Sequence, residues 1–114
     1  MEDNAQNALL MKRILEARGH NVLHAEEGAT GFEMATKEVP DIILVDLGLP
    51  DMDGQTLIGV IRNEPTLKDI PMVTVTAWPE ETARALAEAY GCQGCISKPI
   101  NSRTFPDQIE AFLP

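Results

Sequence analysis

At 114 residues, with nine Lys or Arg against eighteen Asp or Glu and a net charge of −9, the chain suits one domain that can bury a core without disulfides or a structural metal. The few basic residues are scattered, which argues against a nucleic-acid surface, since that needs clustered Lys and Arg, and favours a basic partner or an acidic pocket. No apolar run approaches the roughly 18 residues that cross a bilayer, and Met1-Glu2-Asp3-Asn4 lacks the positive and apolar regions of a signal peptide, so the expectation is a cytoplasmic protein that meets no membrane.

Asn4 to Arg18 reads as a helix, with Leu10, Ile14 and Ala17 on one stripe, Met11 and Leu15 widening it, Asn4 placed to cap it and Gly19 to stop it. Asn21 to Ala25 predicts a weak strand, and Gly28 to Glu38 a second helix that turns Phe32 and Ala35 inward before Val39-Pro40 breaks it. Asp41 to Asp46 is a short, continuous, β-branched-rich run between Pro40 and the turn residues at 47–54. That pattern predicts a strand buried on both faces, as in a parallel sheet under helices. Gln55 to Asn63 predicts a third helix with Leu57, Val60 and Ile61 on its inner face, ended by Glu64-Pro65. Pro71 to Thr76 predicts the next strand, and Pro79 to Tyr90 a fourth helix with Pro79 in its first turn and Ala83, Leu86, Ala87 and Tyr90 inward. Gly94 to Ser97 is a short last strand, and a final helix from about Thr104 buries Phe105, Ile109 and Phe112, with Pro106 tolerable in its first turn. Strands alternating with helices predict an α/β fold, a doubly wound parallel sheet with right-handed crossovers.

The carboxyl ends of such strands line the crevice where open α/β sheets bind ligands, and here they deliver Asp46, Thr76 and Lys98 to one edge. Glu2-Asp3 joins them just before the first helix. A single polar residue closing a strand is ordinary, and a single lysine is ordinarily solvated, but three polar strand ends beside an acidic pair form a constellation. Hard oxygen ligands with room for water suit Mg²⁺, or Mn²⁺ in its place, which would also screen the repulsion among the acids. A carboxylate can attack a phosphoryl group, giving an aspartyl-phosphate, when cations neutralise the charge on the transferred oxygens. Lys98 supplies a mobile point charge for one such oxygen and Thr76 a hydroxyl for another.

On these residues the chain resembles a response-regulator receiver domain of two-component signalling, over nearly its full length. The matching positions are the acidic pair Glu2-Asp3 with Asn4, Asp46-x-x-Leu49-Pro50-x-x-x-Gly54, Thr76-Ala77 and Lys98-Pro99. The resemblance implies a flavodoxin-like fold, counted with a first strand ahead of those above, in the order 2-1-3-4-5. It implies Asp46 as phosphoacceptor, served by a histidine kinase or phosphotransfer protein, with no enzymatic activity beyond its own phosphorylation and dephosphorylation. Mg²⁺ would lie on Asp3, Asp46 and the Gly48 carbonyl, with Glu2 acting through water. Lys98 and Thr76 would hold the phosphoryl group, Thr76 movement would be the signal, and the peptide before Pro99 would be cis. The expected protein is a stand-alone receiver domain over 1–114 with no output domain, signalling by binding a downstream protein through the fourth helix, last strand and last helix. A receiver fold used only as a protein-binding module, with Asp46 never phosphorylated, is the alternative.

Other readings fail on spacing. Asp51-x-Asp53-Gly54 looks like part of a calcium loop, but the first and last ligand positions would be Leu49 and Val60. Neither glycine-rich nucleotide motif occurs. Cys92 and Cys95 make a C-x-x-C placed after a helix end, the wrong end to lower a thiol pKa, so two small buried thiols are expected. Three positions depart from the family pattern. Cys95 stands where an aromatic residue is usual, Gly48 offers only its carbonyl, and only Met1 precedes Glu2-Asp3 where a complete apolar strand is usual. The expectation is that residues upstream of Met1 have been lost from this sequence, or that another segment fills the slot by strand exchange in a homodimer or by direct pairing of the flanking strands.

Overall fold

Caps and turn residues divide the chain close to the expected places in the structure, a computed structural model that describes residues 1–113. Helix α1 spans Ala5–Glu16, and the Asn4 side chain caps it by accepting from the Asn7 N–H at 3.0 Å. Gly19 ends the run at φ 88°, a backbone region that costs glycine nothing. Helix α2 is Gly28–Glu38, α3 is Gly54–Asn63, α4 is Glu80–Ala89 and α5 is Phe105–Glu110. The strands are β1 (Ile43–Val45), β2 (Met72–Thr76) and β3 (Gly94–Ser97), all parallel in the order β1-β2-β3.

Alternation along the strands sends side chains to two layers. Ile43, Val45 and Met72 pack with Leu57, Ile58, Ile61, Ala83 and Leu86 on the α2–α3–α4 side. Val73, Val75 and Ile96 pack with Met11, Leu15, Phe105 and Ile109 on the α1–α5 side. This is the doubly wound arrangement the alternating pattern predicts.

Several inward faces differ from the periodicity reading. In α1 the buried stripe is Ala8, Met11 and Leu15, while Leu10 and Ala17 are exposed. In α3 Ile58 is buried in place of Val60, and Tyr90 at the end of α4 is exposed. In α1 and α3 apolar residues also stand on the flanking positions and the neighbouring layer selects among them, whereas Tyr90 lies past the end of α4 as its C-cap.

The larger correction lies at the second expected strand. Asn21 to Ala25 carries no ladder, and no backbone hydrogen bond joins it to residues 41–46 among the described residues, so direct pairing of the flanking segments does not occur. Met1 and Glu2 stand between them. The Met1 α-ammonium donates to the Leu44 carbonyl at 2.7 Å, the Asp46 N–H donates to the Met1 carbonyl at 3.0 Å, and the Glu2 N–H donates to the Ala25 carbonyl at 2.9 Å. The methionine side chain closes against Gly31 of α2, where an added Cβ would meet it at 2.7 Å. A cavity of about 390 Å³ lies between the Asn21–Ala25 segment and β1.

Candidate functional site

Asp46 follows β1 directly, so the strand fixes its backbone while its carboxylate reaches past the sheet edge. The turn at Leu47-Gly48 folds back on it, and the Gly48 N–H donates to Asp46 Oδ1 at 3.0 Å. Two strands away, the Lys98 N–H donates to the Thr76 carbonyl at 2.9 Å, which aligns the ends of β2 and β3, and the Lys98–Pro99 peptide is cis. The Lys98 ammonium then lies between two acids, 3.0 Å from Asp46 Oδ2 and 2.5 Å from Glu2 Oε1. The Glu2 contact is ionic without an aligned hydrogen bond, because Glu2 Oε1 is buried and takes no directed donor. Glu2 is held in place at two points, its Oε2 accepting from the Asn4 N–H at 3.1 Å and its carbonyl accepting from His24 Nε2 at 2.7 Å.

Burial works to raise the Asp46 carboxyl, but the Gly48 amide and then the Lys98 ammonium outweigh it, and its pKa lies below the ordinary value of 3.8. Asp46 is therefore an anion at neutral pH. Burial opposes the Lys98 charge, yet Glu2 and Asp46 hold its pKa above the ordinary lysine value. Burial pushes the Met1 α-ammonium down to about 6, with Glu2 and Asp46 resisting.

Every expected site residue gathers at this edge. Carboxylate oxygens of Glu2, Asp3 and Asp46 lie within 4.8 Å of one another, Glu2 and Asp46 buried and Asp3 exposed. An all-oxygen set with one solvent-facing member fits a hard divalent cation that keeps part of its water shell. Thr76 is buried beside them, and its Oγ1 accepts from the Trp78 N–H at 3.2 Å. Gly48 lies between the carboxylate and the indole: a Cβ there would sit at ordinary contact, 3.7 Å from Asp46 Oδ1 and 3.8 Å from Trp78 Nε1.

Sequence reasoning missed four parts. Nothing in the pattern marks His24 as a support for Glu2 or the α-ammonium as a neighbour of the site, because both depend on where the chain returns. Asp51 looks like a ligand in sequence but caps α2, accepting from the Gly28 and Ala29 N–H groups at 2.8 and 3.0 Å. Asp53 caps α3, accepting from the Thr56 N–H at 2.8 Å. The two cysteines are free and half-buried, and burial pushes the Cys92 thiol up, which leaves it inert.

Residues 1–110 match the response regulator receiver domain family. The polar-differentiation response regulator DivK of Brucella ovis is 30% identical over 113 residues, covering 99% of this chain and 92% of that protein. The DivK of Brucella abortus matches to the same extent. Among solved structures, the signal receiver domain of a signal transduction histidine kinase from Syntrophus aciditrophicus superposes with a TM-score of 0.87 at 26% identity, over 99% of this chain and 86% of that one. The chemotaxis protein CheY4 of Vibrio cholerae has the same fold, with a TM-score of 0.91 at 23% identity over 98% and 93%.

Proposed function

The chain belongs to the response regulator receiver domain family of two-component signalling, and from that premise we propose that it is a switch thrown by phosphorylation of Asp46. The observation that carries this reading is the placement of an ionised, buried carboxylate beside a paired ammonium and two further acids at the sheet edge.

An Asp46 carboxylate oxygen attacks the phosphorus of a phosphohistidine on a histidine kinase or phosphotransfer protein. A new O–P bond forms, the P–N bond breaks, and the imidazole leaves with its electron pair and takes up a proton. The Gly48 N–H and Lys98 orient the carboxylate before transfer, and Lys98 then follows the charge onto a phosphoryl oxygen. Glu2, Asp3, Asp46 and the Gly48 carbonyl are the groups that would hold Mg²⁺, which supplies positive charge to the transferred oxygens when bound. Thr76 offers its hydroxyl to the phosphoryl group, and because the same oxygen accepts from the Trp78 N–H, its movement disturbs the entry to α4. The response passes from there to a downstream protein on the α4, β3 and α5 face. No helix of the described residues is long and apolar enough to cross a membrane.

The test is to incubate the chain with acetyl phosphate and Mg²⁺ and seek an adduct of one phosphoryl mass by intact-protein mass spectrometry, mapped by borohydride trapping. A label on Asp46 that EDTA prevents is the expected result. Saturable binding of a partner by a chain that takes neither acetyl phosphate nor beryllofluoride would favour the binding-module reading instead.

A further inference from the structure

The Glu2 carbonyl has a partner that the chemistry above does not use. His24 Nε2 lies 2.7 Å from it, and because a carbonyl can only accept, the imidazole presents an N–H there. That carbonyl belongs to the planar peptide unit joining Glu2 to Asp3, so the bond fixes the plane from which Asp3 leaves. On the other side of Glu2, its N–H donates to the carbonyl of the next residue, Ala25, at 2.9 Å. Two neighbouring positions of one segment therefore grip the backbone on both sides of Glu2.

Asp3 depends on that grip more than the other two acids do. Glu2 is buried against Lys98 and Asp46 rides on the end of β1, whereas Asp3 is exposed and stands on no helix or strand. Its carboxylate still comes within 4.8 Å of theirs. On the far side of Asp3, the Asn4 N–H donates to Glu2 Oε2 at 3.1 Å and the Asn4 side chain caps α1. Those bonds stay within the same short stretch. His24 ties the Glu2–Asp3 peptide to a segment 22 residues away. Without that tie the peptide unit can turn about its flanking bonds and carry Asp3 with it. A carboxylate that must be ordered at each binding event costs affinity, and outer bonds that orient metal ligands are worth about ten- to a hundredfold in metal affinity.

We propose that His24 is a positioning residue for the cation site: its Nε2–H holds the Glu2–Asp3 peptide so that the Asp3 carboxylate meets Glu2 and Asp46 in a preformed site for a divalent ion. This rests on the reading of those three acids as metal ligands. The bond needs an N–H at the place of Nε2 rather than an imidazole, which sets the test. His24→Gln brings an amide N–H to that place. His24→Asn carries the same amide one methylene short, and His24→Leu keeps bulk without a donor. Mn²⁺ alone, with no phosphodonor, is titrated into the parent and each variant, and the free ion is followed by electron paramagnetic resonance. His24→Leu and His24→Asn should bind about tenfold more weakly, and His24→Gln within about twofold of the parent. In the metal-free proteins the Asp3 amide resonance should move in the Leu and Asn variants and stay near the parent position in His24→Gln. Parent-like Mn²⁺ affinity in His24→Asn overturns the proposal, as does a His24→Gln protein as weak as His24→Asn, or a parent that binds no Mn²⁺. Labelling of Asp46 is scored apart. Label on a parent whose Asn variant still binds Mn²⁺ normally removes His24 from the site and leaves the phosphorylation reading standing.

Discussion

Asp46, Asp51 and Asp53 are chemically identical and close in sequence, and hydrogen bonds give each a different task. Asp46 bonds to the Lys98 ammonium and the Gly48 amide at the sheet edge, whereas Asp51 and Asp53 spend their oxygens on the first turns of α2 and α3. We therefore expect Asp46→Asn to abolish Mg²⁺-dependent labelling by acetyl phosphate, while Asp51→Asn and Asp53→Asn retain it. Label persisting in the Asp46 variant would move the site elsewhere. The two caps should act on stability instead. The Ala29 and Gly28 amides hold the Asp51 carboxyl below 3.8, and the Thr56 amide does the same for Asp53. Depressed carboxyls contribute stability that is present above their ordinary pKa and lost as pH falls through the folded value. The double variant D51N/D53N should then unfold at lower urea at neutral pH, and its stability should fall less steeply than the parent's below about pH 4. Parallel acid curves for the two proteins would remove these caps from the account.

At the scale of elements, the entry to α4 and the exit from α3 carry the most consequence. Trp78 is 37% exposed, precedes α4, and bonds through its N–H to the Thr76 hydroxyl, so a shift of Thr76 must change the surroundings of the indole. Trp78 is the chain's only tryptophan, and its fluorescence should change on adding beryllofluoride with Mg²⁺. An unchanged emission alongside proven binding would send the signal by another route, since Cys95 has no ring whose rotation could carry it. At the other end of the sheet, Arg62 closes α3 against two loops, donating to the carbonyls of Lys68, Ile70 and Gly91 and to Gln93 Oε1. Arg62→Ala takes the donor from the Lys68, Ile70 and Gly91 carbonyls, of which only the Ile70 one is partly buried, while Gln93 Oε1 keeps the Met72 N–H; it should cost about 1–2 kcal/mol, read as a lower urea midpoint with labelling preserved. Neither the Arg62 clamp nor the Asp51 cap was legible in the sequence, because each joins positions far apart in the chain. What was legible rests on local rules: Asn4 as a cap, Gly19 as a stop, and the apolar run ending in Asp46. The helix faces lie between these cases. Periodicity shows that α3 has an inner stripe, but only the sheet beneath it decides that Ile58 rather than Val60 is buried.

The whole molecule is a doubly wound sheet with a place for one more strand, and the site depends on the short stretch that marks that place. Met1 and Glu2 tie the Ala25 and Leu44 edges together and hold Glu2 against Lys98, with a cavity beside them. Buried backbone groups without partners cost about 1–3 kcal/mol each, a heavy load against a typical domain stability of about 5–15 kcal/mol. The α-ammonium adds a pH term. Burial pushes it from 8.0 down to about 6, so the unfolded chain binds more protons than the folded one between those values. This term must then make stability rise with pH across that window and level off on either side of it. Fusing a five- or six-residue apolar strand ahead of Met1 should answer both. It fills the slot at an effective concentration in about the millimolar range and turns the ammonium into a peptide amide. Tm should rise by on the order of 10 °C or more, with the protein a monomer. Melts in EDTA, so that no metal bears on the amine, should show the parent gaining stability from about pH 6 to 8 and the fused chain losing that dependence. A fused chain that melts with the parent at every pH, while the parent sediments as a monomer and unfolds cooperatively, would mean that the open slot costs the fold nothing and that no strand belongs between Ala25 and Leu44.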